Sequence, residues 1–322
     1  MLAAVLRAYG PPESIEIAEL PDPTPKPGEL VVAVRAASVN FPDVLIAANR
    51  YQVAAKLPLI PGSEFSGVVA ALGAGVTGFA VGDEVTSVDM TGAFAERIAV
   101  RASRAAKKPP QLTHEEAASF GVVYRTAFTA LRTVAEAKPG EWVAVLGAAG
   151  GVGSAALEVA KRLRCRVLAI VSSEQKAAAC RAWGTDAALI AGDGDLKTRI
   201  REATGEGADI VIDPVGGALA DQALRGLRWG GRFVTLDFAS GEIPRIPLNL
   251  VLLKNVQIRG VDLRGLGERE PAALARDLAD LGELVEQGLR PQIGARFALA
   301  QAGAALRFVA DRLAVGKVVV LP

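Results

Sequence analysis

The sequence predicts an α/β chain of two domains, one small and all-β, the other a doubly wound parallel sheet. Three observations carry this. Short strand-like runs separated by turns fill the first 110 or so residues. From about Gly121 the texture changes to alternating helices and strands. Within that alternation the apolar run Trp142–Leu146 leads through Ala148-Ala149-Gly150-Gly151-Val152-Gly153 into an Ala-rich segment reading as helix to Leu163, then into the apolar run Arg166–Val171. Strand, glycine turn, helix and strand make a βαβ unit, in which exposed N–H groups and the helix dipole suit a pyrophosphate.

Taken in order, Leu30–Ala37, Phe65–Ala71 and Phe94–Val100 read as strands, punctuated by Lys26-Pro27-Gly28, Pro61-Gly62 and Val81-Gly82-Asp83. Thr113 with Glu116 forms a capping-box pattern, so a helix is expected from His114. After the βαβ unit come a helix over Glu174–Trp183 and strands over Ala187–Ile190, Asp209–Asp213, Arg232–Leu236 and Val256–Asp262, with a helix over Ala218–Leu227. The tail reads as two helical stretches, Pro271–Gln287 and Leu299–Leu313, then the strand Lys317–Leu321. It does not extend the alternation and is expected to return to the first domain.

Composition narrows the function. A chain of 322 residues, 51% hydrophobic and 22% charged, has room for two cores. A net charge of +1 without blocks of like charge indicates neither a nucleic-acid surface nor a membrane patch. The longest uncharged run, Phe65–Gly82, contains five glycines and reads as strand–turn–strand rather than a membrane span. Arg7, Tyr9 and Pro11-Pro12 interrupt the N-terminal apolar run, so no signal peptide is visible. Cys165 and Cys180 are too few for a disulfide framework and point to a reducing, cytoplasmic setting, both as inert thiols.

Tyr9-Gly10-Pro11-Pro12, Asn40-Phe41-Pro42-Asp43, Pro61-Gly62-Ser63-Glu64-Phe65-Ser66-Gly67 and the glycine turn together resemble the medium-chain dehydrogenase/reductase superfamily, specifically its zinc-free quinone oxidoreductase branch. Pro244-Arg245-Ile246-Pro247-Leu248-Asn249 and Val315-Gly316-Lys317-Val318-Val319 add to the resemblance. Ala144 and Glu158 depart from the branch's glycine-loop signature, which favours Leu and Gln there. The resemblance implies a chaperonin-10-like β-barrel over residues 1–120 and 264–322, a Rossmann domain binding NADPH over 121–263, and an active cleft between them. It also implies a homodimer that extends the sheet through its last strand, for which apolar Leu248–Leu253 is a second motive.

An NAD-preferring site usually carries an acid at the end of the second strand; here that position, 19 residues after Gly153, is Ser172. Ser173 follows, and Lys176 lies one helical turn on, so a hydroxyl and a cation are available for the 2′-phosphate of NADPH. Gly150, Gly151 and Val152 belong to the pyrophosphate turn. The resemblance adds Arg312 as a second cation, Phe238 as a cofactor contact and Thr126 beside the nicotinamide amide.

Where zinc-dependent relatives place their first ligand the chain has Asn40, and where they carry Gly-His-Glu it reads Gly62-Ser63-Glu64. With one histidine, His114, expected to be exposed, and two cysteines, the family's zinc sites cannot be assembled and no metal is expected. The remaining chemistry is hydride delivery to an electron-poor acceptor, a quinone or conjugated carbonyl. The resemblance lines the pocket with Asn40, Phe41, Asp43, Tyr51 and Tyr124. Asn40 would meet a substrate oxygen or the ribose, and Tyr51 would donate to a developing oxyanion. For Asn40 and Asp43 the structural alternative is a turn before a helix; for Tyr51 it is packing. Two other classes stand beside a quinone or enone reductase: an enoyl-thioester reductase and a non-enzymatic NADPH-binding protein. Leu45 counts against the enoyl-thioester reductase, whose members often carry tyrosine there.

Overall fold

A computed structural model describes all residues, 1–322. The chain divides into two compact units: residues 1–122 with 290–322, and residues 123–289.

The first unit is built on Glu29–Val39, an eleven-residue strand with register shifts between Val31 and Val32 and between Val34 and Ala36. It pairs antiparallel with Glu64–Leu72, Arg97–Arg101 and the C-terminal strand Lys317–Leu321. The sheet continues through Glu84–Val88 to Ala105–Lys107 on one side and ends at Ile293–Ala298 on the other. Leu2–Leu6 and Ile15–Glu19 form a separate two-stranded ribbon. Leu30, Val32, Phe65, Phe94, Leu306 and Val320 bury the core, which explains why the tail returns: its helix Ala302–Ala310 and last strand supply part of that apolar surface. Thr113 caps the helix His114–Ala118 as expected, its hydroxyl accepting from the Glu116 N–H at 3.2 Å while Glu116 accepts from the Thr113 N–H at 2.7 Å.

The second unit holds a six-stranded, all-parallel sheet in the order Ala187–Ile190, Arg166–Val171, Trp142–Leu146, Ala208–Asp213, Leu227–Thr235, Gln257–Gly260. Chain order reverses between Trp142–Leu146 and Ala208–Asp213, which places a crevice at the C-terminal ends of those strands. Residues 143–146 and 167–169 are fully buried, as parallel strands covered on both faces require. The expected strands are present, Trp142–Leu146, Arg166–Val171 and Ala187–Ile190 with the expected ends and the other three with shifted ends. The helix Leu196–Thr204, invisible in its charged sequence, buries only Leu196 and Ile200. The helices Leu248–Lys254 and Leu263–Arg269 are also additions to the expected set, whereas Phe41–Ala47 is the helix that the structural alternative for Asn40 and Asp43 expected. A charged hollow of about 270 Å³ beside Arg228, Arg232 and Arg259 is an ion network: Arg232 donates to Glu141 at 2.5 Å, Arg259 to Glu136 at 2.9 Å, and Arg228 to Asp209.

The expected return of the chain at residue 264 is displaced to 290. The helix Pro271–Glu286 belongs to the second unit because Asp277, 6% exposed, accepts from the Thr129 hydroxyl at 2.7 Å and the Thr133 hydroxyl at 2.6 Å. Asp277→Ala leaves both hydroxyls without an acceptor and should destabilise the protein by about 2–4 kcal/mol in urea unfolding, with Asp277→Asn costing less. Equal midpoints for Asp277→Ala and the unmodified chain would show that the helix docks by apolar contact alone.

Candidate functional site

In the second unit the glycine turn leads into the helix Gly151–Arg162, whose N-terminus carries no side-chain cap and no acid in its first turn. Its N–H groups and dipole therefore favour an anion. A Cβ on Gly153 would lie 2.2 Å from the Gly147 oxygen and 2.7 Å from the Ala148 Cα, so only glycine lets the helix sit this close to the turn. The turn Gly150-Gly151-Val152 thus fits a pyrophosphate.

At the end of the second strand, Lys176 Nζ donates to the Ser172 hydroxyl at 3.2 Å. Ser173 caps the helix Glu174–Ala182, its oxygen accepting from the Lys176 N–H at 3.4 Å, so one of the two expected serines already has a structural task. Phe238 sits on a loop fastened to its neighbour: Ala239 N–H donates to Pro214, Ser240 N–H to Val215, and Gly217 N–H to Glu242. Buried Asp213 shapes that neighbour, one oxygen accepting from the Val215 and Gly216 N–H groups at 2.8 Å. Gly216 has φ +71°, and a Cβ there would press on Glu242 and Phe238.

Tyr124 is 1% exposed and donates its hydroxyl to Glu158 at 2.6 Å. That bond accounts for the departure at Glu158, since a carboxylate accepts from a phenol more strongly than an amide does. Thr126 lies on the same short helix, Val123–Phe128. Arg312 belongs to the first unit, just past the helix Ala302–Ala310, with φ +59°.

The first unit gathers four polar side chains in its interior: Asn40 (4% exposed), Asp43 (1%), Glu64 (0%) and Lys317 (2%). Asn40 precedes the helix Phe41–Ala47, and Asp43 reaches back to accept from the Asn40 N–H at 2.8 Å. Asn40 Nδ2 donates to Glu64 at 3.1 Å, and Lys317 Nζ donates to Asn40 Oδ1 at 2.6 Å. The other Glu64 oxygen accepts from the Val122 N–H at 3.0 Å. Two carboxyls thus face one ammonium. Burial pushes Glu64 up and Lys317 down, each against the pull of the other's charge. Burial also raises Asp43 to about 7, opposed by the Asn40 N–H, the Ser63 hydroxyl and the Lys317 charge. One Asp43 oxygen makes no hydrogen bond. Tyr51 is half-buried against a small cluster of Leu6, Ile46, Ala47 and Leu59.

Glu64 and Lys317 were not among the expected site residues. No local signal marked Lys317, because a lysine heading an otherwise apolar strand reads as a solvated strand end. The expected exposure of His114 is corrected: its ring bridges the Ser66 hydroxyl at 2.9 Å and Glu84 at 3.1 Å, and is only partly exposed. Burial lowers its basicity, partly offset by Glu84. Cys165 and Cys180 are buried, and desolvation raises each thiol to about 11, which keeps them unreactive. No group of three or more His, Cys, Asp or Glu side chains is arranged to hold a metal ion. No helix is long and apolar enough to cross a membrane.

A chain carrying both a small β unit and a doubly wound sheet with a glycine cradle has the make-up of a two-domain dehydrogenase. Residues 26–110 match the alcohol dehydrogenase GroES-like domain, and residues 151–279 match the zinc-binding dehydrogenase family. The chain is 34% identical over 295 residues to quinone oxidoreductase-like protein 2 of Rattus norvegicus, covering 91% of this chain and 84% of the relative. The quinone oxidoreductase of Thermus thermophilus, also solved with NADPH, superposes with a TM-score of 0.86 at 35% identity and full coverage of both chains. The CurK enoyl reductase superposes with a TM-score of 0.86 at 27% identity, covering 99% of this chain and 98% of that one. The chain belongs to the medium-chain dehydrogenase/reductase superfamily, in its quinone oxidoreductase branch, and is an oxidoreductase.

The burial of Asp43 makes stability depend on pH. The unfolded carboxyl releases its proton near the ordinary 3.8, whereas the folded one holds it to about 7. Between those values the folded state binds more protons, so stability falls as pH rises, by at most about 1.4 kcal/mol per pH unit for one group. Asp43→Asn should flatten that decline in urea midpoints taken from pH 4 to 7. An unchanged slope would place the titration elsewhere.

Proposed function

We propose that this oxidoreductase uses NADPH to reduce quinones or related conjugated carbonyls without a metal ion. The observation that carries the reading is Asn40, tied to Glu64 and Lys317, standing where metal-dependent relatives hold their first ligand. A site polarised by fixed hydrogen-bond donors suits an acceptor that is already electron-poor.

The cofactor assignment is supported by the NADPH complex of the Thermus relative and by the glycine cradle. The uncapped turn at Gly150, Gly151 and Val152 would hold the pyrophosphate, and Ser172, Ser173 and Lys176 the 2′-phosphate, with Arg312 as a second cation. Phe238 and Thr126 would frame the nicotinamide end. When bound, the reduced nicotinamide supplies the hydride. The chain's own residues orient the acceptor and support the oxygen that gains negative charge: Asn40 and Tyr51 by donating to it, Asp43 by fixing the Asn40 backbone. Tyr124 serves from its bond to Glu158 as a tether rather than a free donor. The final proton comes from water.

An enoyl-thioester reductase is a second reading, favoured by the likeness to CurK. Leu45, on the helix Phe41–Ala47, counts against it. Stopped-flow oxidation of NADPH with quinones, enones and enoyl thioesters should show fast turnover with the first two. Fast turnover with enoyl thioesters alone would favour the second reading.

A homodimer in the cytoplasm completes the proposal. Edge strand Gln257–Gly260 pairs only with Leu227–Thr235, and Ile243, Leu248, Leu252 and Leu253 nearby in sequence are each at least 70% exposed. Such an edge and patch are a liability unless covered. Sedimentation equilibrium at micromolar concentration should give twice the chain mass, and a monomer would contradict the assignment.

Lys176→Glu sets a carboxylate against the 2′-phosphate. It should weaken NADPH binding by about 10- to 100-fold, the worth of one charge-assisted hydrogen bond, while changing NADH less than about threefold. Equal dissociation constants for NADPH and NADH in the unmodified protein would overturn the preference.

A further inference from the structure

We propose that Lys317, together with Glu64, is a positioning residue that locks the Asn40 amide in one orientation, so that Asn40 presents an N–H donor to a carbonyl or quinone oxygen. The inference rests on the reductase reading for its ligand, but the lock itself is a property of this unit alone.

An asparagine amide looks nearly the same after a half-turn, and only its partners decide which end is which. Here they decide strongly. The ammonium of Lys317 lies 2.6 Å from Oδ1, and the carboxylate of Glu64 lies 3.1 Å from Nδ2. Reversal would set the amide hydrogens against the ammonium and the amide oxygen against the carboxylate. Both contacts would be repulsive, in an interior where each partner is at most 4% exposed and water cannot screen them.

The partners are themselves held. Glu64 Oε1 is fixed by the Val122 N–H, and Lys317 reaches the Val39 carbonyl at 3.4 Å and Glu64 Oε2 at 3.9 Å. The Asn40 backbone is pinned by Asp43 at 2.8 Å. The Asn40 side chain therefore has little freedom left. Of its two Nδ2 hydrogens one goes to Glu64, and the second makes no hydrogen bond within the chain.

That second hydrogen recognises an acceptor. When hydride adds to a carbon conjugated with a carbonyl, the displaced electron pair moves onto the carbonyl oxygen, and the resulting enolate takes a proton from water, at the α carbon of an enone or at the oxygen of a quinone. A fixed N–H beside that oxygen is worth more as charge develops than before, provided it does not have to turn to reach it. An inverted amide would offer its carbonyl instead and oppose the developing charge.

A simpler role for Lys317 is to balance buried carboxylates, and two variants separate the roles. Lys317→Met leaves Glu64 uncompensated and should lower the melting temperature. Lys317→Met/Glu64→Gln removes both charges and should recover much of that loss. If Lys317 only balances charge, turnover recovers with stability. If it positions Asn40, kcat with a simple enone stays at least tenfold down in the double variant. The deficit should be smaller with a quinone, and the NADPH dissociation constant should stay within about twofold of the unmodified protein.

A readout independent of activity is the Asn40 side-chain amide in a ¹⁵N-labelled sample. Its Nδ2 hydrogens should resonate far apart and exchange with solvent at least 100-fold more slowly than those of exposed Asn49, and the double variant should lose both properties. Free exchange at Asn40 in the unmodified protein, or full recovery of kcat in the double variant, would overturn the proposal. A protein that reduces none of the acceptors yet shows the protected amide would retain the lock and lose the reductase reading.

Discussion

The first unit depends on bringing its C-terminal strand home beside Asn40. Val318 and Val319 pair with Val39 and Ser38, and this register carries Lys317 into an interior that already contains two carboxyls. An ammonium costs several kcal/mol to bury alone, and so does a carboxylate. Each is tolerable here because the other is near and because Asn40, Val39 and Val122 hydrogen-bond to the pair. The apolar face of the same strand fills the core with Val318 and Val320. Closing the sheet and assembling the polar cluster are therefore one event, and a cluster formed only in the closed sheet is preorganised for any ligand that meets it.

The second unit is governed by close approach rather than by charge. Its parallel strands are covered on both faces, so their residues are almost uniformly apolar, and chemistry is confined to the ends of strands. At those ends, in the proposed cofactor reading, the backbone would do most of the recognition. Gly153 admits the helix to the turn, and the uncapped N-terminus leaves N–H groups facing outward. Asp213 performs a related task one strand away, spending a buried carboxylate oxygen on two backbone N–H groups to hold the loop that carries Phe238's neighbours. Side chains at the rim, where Lys176 donates to Ser172, would add the proposed selectivity.

How much of this was legible in the sequence follows the range of the interactions. The parallel sheet was readable because hydrophobic runs and glycine turns are local, and the helix from His114 because its capping box spans four residues. The helix Leu196–Thr204 was not, because its helical stripe is only two residues wide. The end of the second unit was misplaced by 26 residues because Thr129, Thr133 and Asp277 lie almost 150 positions apart in sequence, and no pattern in Pro271–Glu286 names its partner. Asn40 and Asp43 were legible as a motif, but their partner Lys317 is 277 residues from Asn40. A lysine at the head of an apolar strand reads as a solvated end, and only the pairing of the last strand with Glu29–Val39 turns it inward. His114 was misjudged for the same reason, since its partners Ser66 and Glu84 come from other strands.

The central claim is hydride delivery to a carbon conjugated with a carbonyl, and isotope transfer tests it most directly. A simple enone is incubated with NADPH carrying deuterium at both nicotinamide C4 positions, in ordinary water, and the product is examined by mass spectrometry and NMR. The account predicts a saturated ketone with one deuterium at the carbon β to the carbonyl and a solvent hydrogen at the α carbon. Deuterium on the carbonyl carbon itself, giving an allylic alcohol, or enone recovered unlabelled and unreduced, would contradict it.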